Sequence, residues 1–169
     1  MAQMVDVNLR APLFLTGLAL PHIKKSGGGA VVMVGSLAGR APLQGASTYV
    51  STKAGLRAFA YSLADELMDT GIHVGVVFPG PIDTAFIMDR IDVVEDIVYS
   101  QRMSSAEEVA SAVLAIAEGE QVEISLPASA GWLTTLGYLL PGLRRKLRPA
   151  LYARGRKNKE KYRNRTKTH

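Results

Sequence analysis

Residues 30–84 read AVVMVGSLAGRAPLQGASTYVSTKAGLRAFAYSLADELMDTGIHVGVVFPGPIDT, and the stretch decides the fold because it holds two strands with a helix between them. Ala30 to Gly35 is a short β-branched run without alternation, the pattern of a strand covered on both faces in a parallel sheet. Residues 47–69 form a long helical segment ending at Thr70-Gly71. Ile72 to Phe78 repeats the buried-strand pattern and breaks at Pro79-Gly80-Pro81.

Upstream, Val7, Phe14, Leu15, Leu18 and Ile23 recur at near-helical spacing, and Lys24-Lys25-Ser26-Gly27-Gly28-Gly29 stops the run, so a helix is expected over about 3–25. Downstream, Ser104-Ser105-Ala106-Glu107-Glu108 is a doubled capping-box signal. Val109, Val113 and Ile116 mark the buried face of the helix it starts, Gly119 stops that helix, and Val122 to Leu126 reads as a third short strand. The order is the rhythm of a doubly wound parallel sheet. No internal repeat is present.

The chain has 169 residues, 47% hydrophobic and 21% charged, an ordinary globular mix. Its net charge of +5 is unevenly divided. Residues 1–143 hold 8 basic and 14 acidic side chains, whereas 144–169 hold 12 basic and 1 acidic, so the basicity belongs to a tail. With no cysteine, disulfides, thiolate zinc sites and cysteine nucleophiles are excluded. His22, His73 and His169 lie too far apart for a helical metal motif, and no metal is expected. No apolar stretch reaches the roughly 20 residues of a membrane span, and MAQMVDVNLRAP has no basic segment leading into a secretory core, so the expected location of the body is cytoplasmic.

Ligands of open α/β sheets bind beyond the carboxyl ends of the strands, which directs attention to the residues after Val34 and Phe78. Ser36 follows the first strand; thirteen residues on comes Tyr49, and Lys53 lies four further along the same helix face. A nearby ammonium favours a phenolate and draws a tyrosine pKa from its reference of about 10 toward working pH, so the tyrosine can exchange a proton with an alcohol or carbonyl oxygen. The tyrosine and lysine spacing alone is common on helices. Its weight comes from combination with Ser36, with the small residues Ala46, Ser47, Ser51, Ala54 and Gly55, and with the Pro79-Gly80-x-x-x-Thr84 loop.

Together VVMVGSLAGRAPLQGASTYVSTKAG, VGVVFPGPIDT and the upstream VNLRAP resemble the short-chain dehydrogenase/reductase family, four linked motifs in order over residues 5–84. The resemblance implies an oxidoreductase that interconverts an alcohol and a carbonyl with NAD or NADP. It assigns Tyr49 as general acid/base and Ser36 as the hydrogen-bond donor to the substrate oxygen. Lys53 would act on the tyrosine and hold the nicotinamide ribose, and Asn8 would position a relay water. The backbone of Pro79, Gly80 and Ile82 and the hydroxyl of Thr84 would orient the nicotinamide carboxamide. The alternatives are that Asn8 only kinks a helix and that Thr84 only caps one. The family's dimer packs the helices read here at 3–25 and 47–69 into a bundle, so a homo-oligomer is expected.

The family pattern normally opens with a strand, a turn of the form T-G-x-x-x-G-x-G and a helix whose N-terminus receives the pyrophosphate, and later carries N-N-A-G; neither occurs in these residues. The chain therefore reads as the catalytic half of such an enzyme, with Met1 a truncated or misassigned start. Three strands would be kept, and Ala30 to Gly35 would be an unpaired apolar edge that favours aggregation. Negligible nucleotide affinity is expected of these residues alone. The rival reading is a non-catalytic interaction module that retains the fold remnant.

The expected division is a partial Rossmann-like catalytic domain over 1–128, an apolar and basic amphipathic extension over 129–153, and a disordered basic tail over 154–169. Ala85 to Met103 falls where the family places its lid, and Phe86, Ile87, Met88, Ile91, Val93 and Val94 suggest a hydrophobic substrate, or else plain packing on the core. Within 132–151, Leu143, Leu147 and Leu151 recur among Arg144, Arg145, Lys146 and Arg148 beside Trp132 and Tyr138. Peripheral contact with a membrane surface is the favoured reading, ahead of docking on a neighbouring subunit and of non-specific nucleic-acid binding.

Overall fold

The computed structural model describes residues 1–84 and 91–166. The N-terminal helical run is α1 (Ala2–Val5), a π-helical turn (Asp6–Arg10) and α2 (Ala11–Lys25). There follow β1 (Gly29–Val34), a 3-10 turn (Leu37–Gly39), α3 (Ser47–Glu66) and β2 (Ile72–Pro79). A second 3-10 turn (Asp96–Ser100), α4 (Ala106–Ala117), β3 (Glu123–Leu126), α5 (Ala128–Leu139) and α6 (Pro141–Thr166) complete the chain.

The three strands form one parallel sheet in the order β1-β2-β3. β2, rich in valine, sits in the middle and is buried from Val74 to Pro79, as expected of a strand covered on both faces. One face carries Met33, Val74, Val76 and Phe78 against Leu56, Ala60 and Leu63 of α3. Val32 and Val77 point the other way, onto Ala112 and Ile116 of α4. These alternating sets are the period-2 consequence of the pleat. Among the described residues β1 has a partner on one side only, and Val34 at its end is half-exposed.

Local chemistry sets the element ends. Ser105 caps α4 by accepting from the Glu108 amide while Glu108 accepts from the Ser105 amide, the reciprocal pair the sequence predicts. Gly27 turns at a φ of 88°, and at Gly28 a Cβ would stand 2.7 Å from the Gly71 carbonyl oxygen, so the turn into β1 requires both.

One expectation changes, and one of two alternatives is met in part. Residues 154–169 were expected to be disordered, yet 154–166 continue α6; many of their basic side chains meet acidic partners that lie about 60 residues earlier, which no local pattern shows. In the lid region Ile91, Tyr99 and Met103 make a small core of their own, with Val94, Val98 and Tyr162 packed on it, whereas Val93 is exposed. Phe86, Ile87 and Met88 lie outside the described residues.

Replacing Ile116, 1% exposed, by alanine should cost about 2–5 kcal/mol. Ser105→Ala should cost about 1 kcal/mol, and exposed Leu114→Ala should stay within about 0.5 kcal/mol. Urea unfolding midpoints of the three variants check this order.

Candidate functional site

β1 ends at Val34, opposite Val77, and β2 runs two residues further to Pro79, so Ser36 and the Pro79–Thr84 loop emerge at the same carboxyl end of the sheet. Ser36 caps the first 3-10 turn, its Oγ accepting from the Ala38 amide at 3.2 Å. The turn reaches α3 through a glycine: at Gly39 a Cβ would lie 2.7 Å from the Lys53 carbonyl oxygen. Gly35 permits a similar approach, since its Cβ would stand 2.8 Å from the Phe78 ring.

Tyr49 and Lys53 lie in the first two turns of α3 and are both half-buried. The Lys53 ammonium donates to the Val34 carbonyl at 2.9 Å, at the carboxyl end of β1 and two residues before Ser36. It stands 5.9 Å from the centroid of the Tyr49 ring. The sequence reading directs this charge at the phenol. Its hydrogen bond is to the carbonyl at the end of β1, with the Tyr49 ring beside it. Burial pushes the Lys53 ammonium below the ordinary lysine value.

Asn8 sits in the π-helical turn, half-buried. Such turns insert an extra residue and re-aim side chains, often at functional sites. Leu9 carries the turn onto α3 at Gly55, where a Cβ would meet the Leu9 side chain at 2.9 Å. Asn8 precedes Leu9 in that turn, so the turn that holds it packs on α3.

The loop after β2 is held from two sides. The Gly80 amide donates to the Leu126 carbonyl at 2.8 Å, and Pro81, Ile82 and Asp83 pair with Ser104. The Thr84 hydroxyl lies 3.5 Å from the Ile82 carbonyl. The structure therefore gathers Ser36, Lys53, Tyr49 and the Pro79–Thr84 loop toward one end of the sheet, with Asn8 in the separate π-helical turn that packs on α3 through Leu9.

One cluster carries no sequence signal. The Arg40 side chain, 9% exposed, follows the Ser36 turn and forms an ion pair with Glu123 of β3. It also donates to the Gly131 carbonyl at 3.2 Å and to the Thr135 hydroxyl at 2.7 Å in α5. Arg57 and Tyr61 of α3 reach the same carboxylate at 2.8 and 3.1 Å. Burial and then the charge of Arg57 push Arg40 below the usual guanidinium value, although it keeps its proton at any working pH. The separation of 83 positions between Arg40 and Glu123 hides the pair from any local reading.

A second missed cluster ties α6 to the segment after the Thr84 loop. Lys159 and Arg156 bind Asp96 at 3.1 and 3.3 Å, and Arg163 pairs with Asp92. Lys159 also donates to the Val94 carbonyl and Asn158 to the Tyr99 carbonyl. Gly155 admits this contact, since a Cβ there would collide with the Asp96 carbonyl.

Comparison with known proteins follows this geometry. The family described as short chain dehydrogenase matches residues 1–93, more than half of the chain. The chain belongs to that family. Dehydrogenase/reductase SDR family member 4 of Homo sapiens is 39% identical over 82 residues, 48% of this chain and 30% of that protein. The 2,5-dichloro-2,5-cyclohexadiene-1,4-diol dehydrogenase of Sphingobium indicum is 29% identical over 140 residues, covering 77% of this chain and 55% of that one. A short chain dehydrogenase of Burkholderia cenocepacia, solved in complex with NADP, matches with a TM-score of 0.67 and 29% identity over 89% of this chain and 59% of its own. The chain thus spans from under a third to a little over half of the length of these relatives. The short chain dehydrogenase match takes in the Ser36, Tyr49 and Lys53 region and the Thr84 loop, and ends before α6.

Burial alone would raise the Asp96 carboxyl, but the hydrogen bonds and charges of Lys159 and Arg156 outweigh it and hold it below the usual range. A depressed acid contributes stability that is present above its unfolded value of about 3.9 and is lost as pH falls through the folded value. Amide protection over 94–103 should therefore drop below about pH 4. Asp96→Asn should show the same loss at neutral pH, measured by hydrogen exchange.

Proposed function

We propose that the protein containing these residues interconverts an alcohol and a carbonyl, using NAD or NADP. The observation that carries the reading is the Lys53 ammonium at the carboxyl end of β1, bonded to Val34 two residues before Ser36, with Tyr49 one turn earlier on the same helix. Two parallel strands ending side by side, a cation and two hydroxyl side chains suit the ribose and carboxamide end of a dinucleotide. Lys53 would hold the ribose, and Pro79, Gly80, Ile82 and Thr84 would orient the carboxamide. A nicotinamide cofactor supplies a hydride acceptor or donor when bound.

The chain's own groups would handle the proton. In the oxidative direction the Tyr49 phenolic oxygen takes the proton of the alcohol hydroxyl, and in reduction it returns one to the carbonyl oxygen. The Ser36 hydroxyl donates to that same oxygen as charge develops on it. Its acceptor role toward the Ala38 amide leaves its proton available for this. Lys53 contributes positive charge beside Tyr49, and Asn8 would position a water behind Lys53.

Three finer assignments belong to the same proposal. A hydrophobic substrate is suggested by Phe86, Ile87 and Met88, since Ile91 and Tyr99 are used in packing. A homo-oligomer is supported by Val7, Phe14, Leu15 and Leu18, all more than half exposed along the N-terminal helical run. Peripheral membrane contact through 132–151 is supported by the exposed apolar side chains there. No helix of the described residues is long and apolar enough to cross a membrane.

In the longest gene product that contains this chain, Tyr49→Phe should lower kcat by about 10²–10⁴-fold. Its circular dichroism and NADP(H) binding should stay unchanged; turnover within a factor of about two of the parent, beside the 10²-fold floor expected of a lost acid/base, would overturn the role. Separately, Phe14→Asp with Leu18→Asp should convert an oligomer to a monomer by light scattering with size exclusion. An unchanged mass would reject this helix as the interface.

A further inference from the structure

Beyond the sheet, α5 and the first half of α6 present a surface that no described residue covers. Trp132, Leu133 and Leu139 are 76%, 63% and 69% exposed, and Leu140, Leu143 and Leu147 are about half-exposed on the following turns. Soluble proteins rarely leave so contiguous an apolar set in water without a partner for it. The surface is built and held: the Leu140 and Arg144 amides donate to the Leu136 and Leu140 carbonyls, and the Arg144 guanidinium donates to the Gly137 carbonyl. The elbow between the helices is thereby set before any partner arrives.

Charge identifies the partner. Of the distal basic residues, Arg156, Lys159 and Arg163 are engaged by Asp92 and Asp96, while Arg154, Lys157 and Lys161 are exposed and lie away from the leucines of the elbow in sequence. Arg145, Lys146 and Arg148 are exposed, with no acidic partner among the described residues, and they lie beside the leucines. A second copy docked symmetrically on this face would bring two basic rims together, which costs free energy. A nucleic acid would use the cations and leave the aliphatic side chains in water. An acidic bilayer matches both components at once: the interface takes Trp and Leu, and the headgroups take the cations.

We propose that the face formed by α5 and the first half of α6 docks on an anionic phospholipid surface, lying on it rather than crossing it. The inference rests on the membrane contact named in the proposed function and deepens it by specifying the lipid charge and the side chains that read it. The distal half of α6 is clamped to the segment after the Thr84 loop, so the docked face and that segment move as one piece. A hydrophobic substrate dissolved in the bilayer would then have a short route to the site.

Trp132 is the single tryptophan, so its fluorescence reports on the face directly. The full chain is mixed with phosphatidylcholine vesicles, and with vesicles containing about 30% phosphatidylserine. The expected result is co-sedimentation and a blue shift of Trp132 with the anionic vesicles, weaker by about tenfold or more with the neutral ones and weakened by salt near 0.5 M. Leu133→Asp with Leu139→Asp should abolish the shift, and Arg145→Glu with Lys146→Glu should weaken binding by about tenfold. Absence of binding to either vesicle, or binding indifferent to both variant pairs, overturns the proposal. So does a lipid-free increase in mass that Leu133→Asp removes, because it assigns the face to a second copy. In the longest gene product that contains this chain, Tyr49→Phe should bind vesicles like the parent, so loss of turnover with vesicle binding retained, or the reverse, shows which of the two readings has failed.

Discussion

Pairing of β1 with β2 in parallel register is the constraint on which the site depends. Gly29 opposite Ile72 and Val34 opposite Val77 bring the carboxyl ends of the two strands within two residues of each other, so the residues that follow each strand share one end of the sheet. Parallel strands need a crossover between them, and α3 is that crossover. Burial of Leu56, Ala60 and Leu63 on Met33, Val74 and Phe78 lays α3 along the sheet as it runs back toward the start of β2, and so holds its first turns, with Tyr49 and Lys53, at the carboxyl end of β1. The position of Lys53 is therefore a consequence of core packing, and its bond to the Val34 carbonyl records that position.

Three small residues convert this arrangement into close contact. Gly35 admits Phe78, Gly39 admits the backbone of Lys53, and Gly55 admits Leu9 from the π-helical turn. Any side chain at Gly39 would push the Ser36 turn away from α3. Arg40, the next residue, then anchors that turn through Glu123 to β3 and through Gly131 and Thr135 to α5. Two guanidinium groups sharing one poorly exposed carboxylate are costly to bring together, and removing Glu123 would leave Arg40 without its counter-ion. The cluster gives position to the Ser36 turn rather than touching any reacting atom.

The charge division of the chain acquires a structural account in α6. The excess of basic side chains beyond residue 143 is partly consumed by the acidic segment around Asp92 and Asp96, which is why 154–166 is helical. Of the basic side chains that no described carboxylate takes up, Arg145, Lys146 and Arg148 lie on the proximal half, beside exposed leucines. A helix with one end ion-paired to its own protein and the other carrying unpaired cations has two separate partners by construction.

The sequence by itself determined the strand, helix and strand order, the capping box at Ser105 and the Ser36, Tyr49 and Lys53 constellation, because each depends on local periodicity, local hydrogen bonding or spacing along one element. That β1 pairs on one side only among the described residues agrees with the strand order that the family resemblance implied. Tertiary structure alone decided the partner of Lys53, the Arg40 and Glu123 pair, the order of residues 154–166 and the separate core around Tyr99. Each of these joins side chains that lie tens of residues apart, and an ion pair across such a gap leaves no trace in the periodicity of either segment. Charge composition pointed to a solvated tail; the acidic residues that order it were visible, but their meeting with Lys159 and Arg156 was a matter of where the chain returned in space.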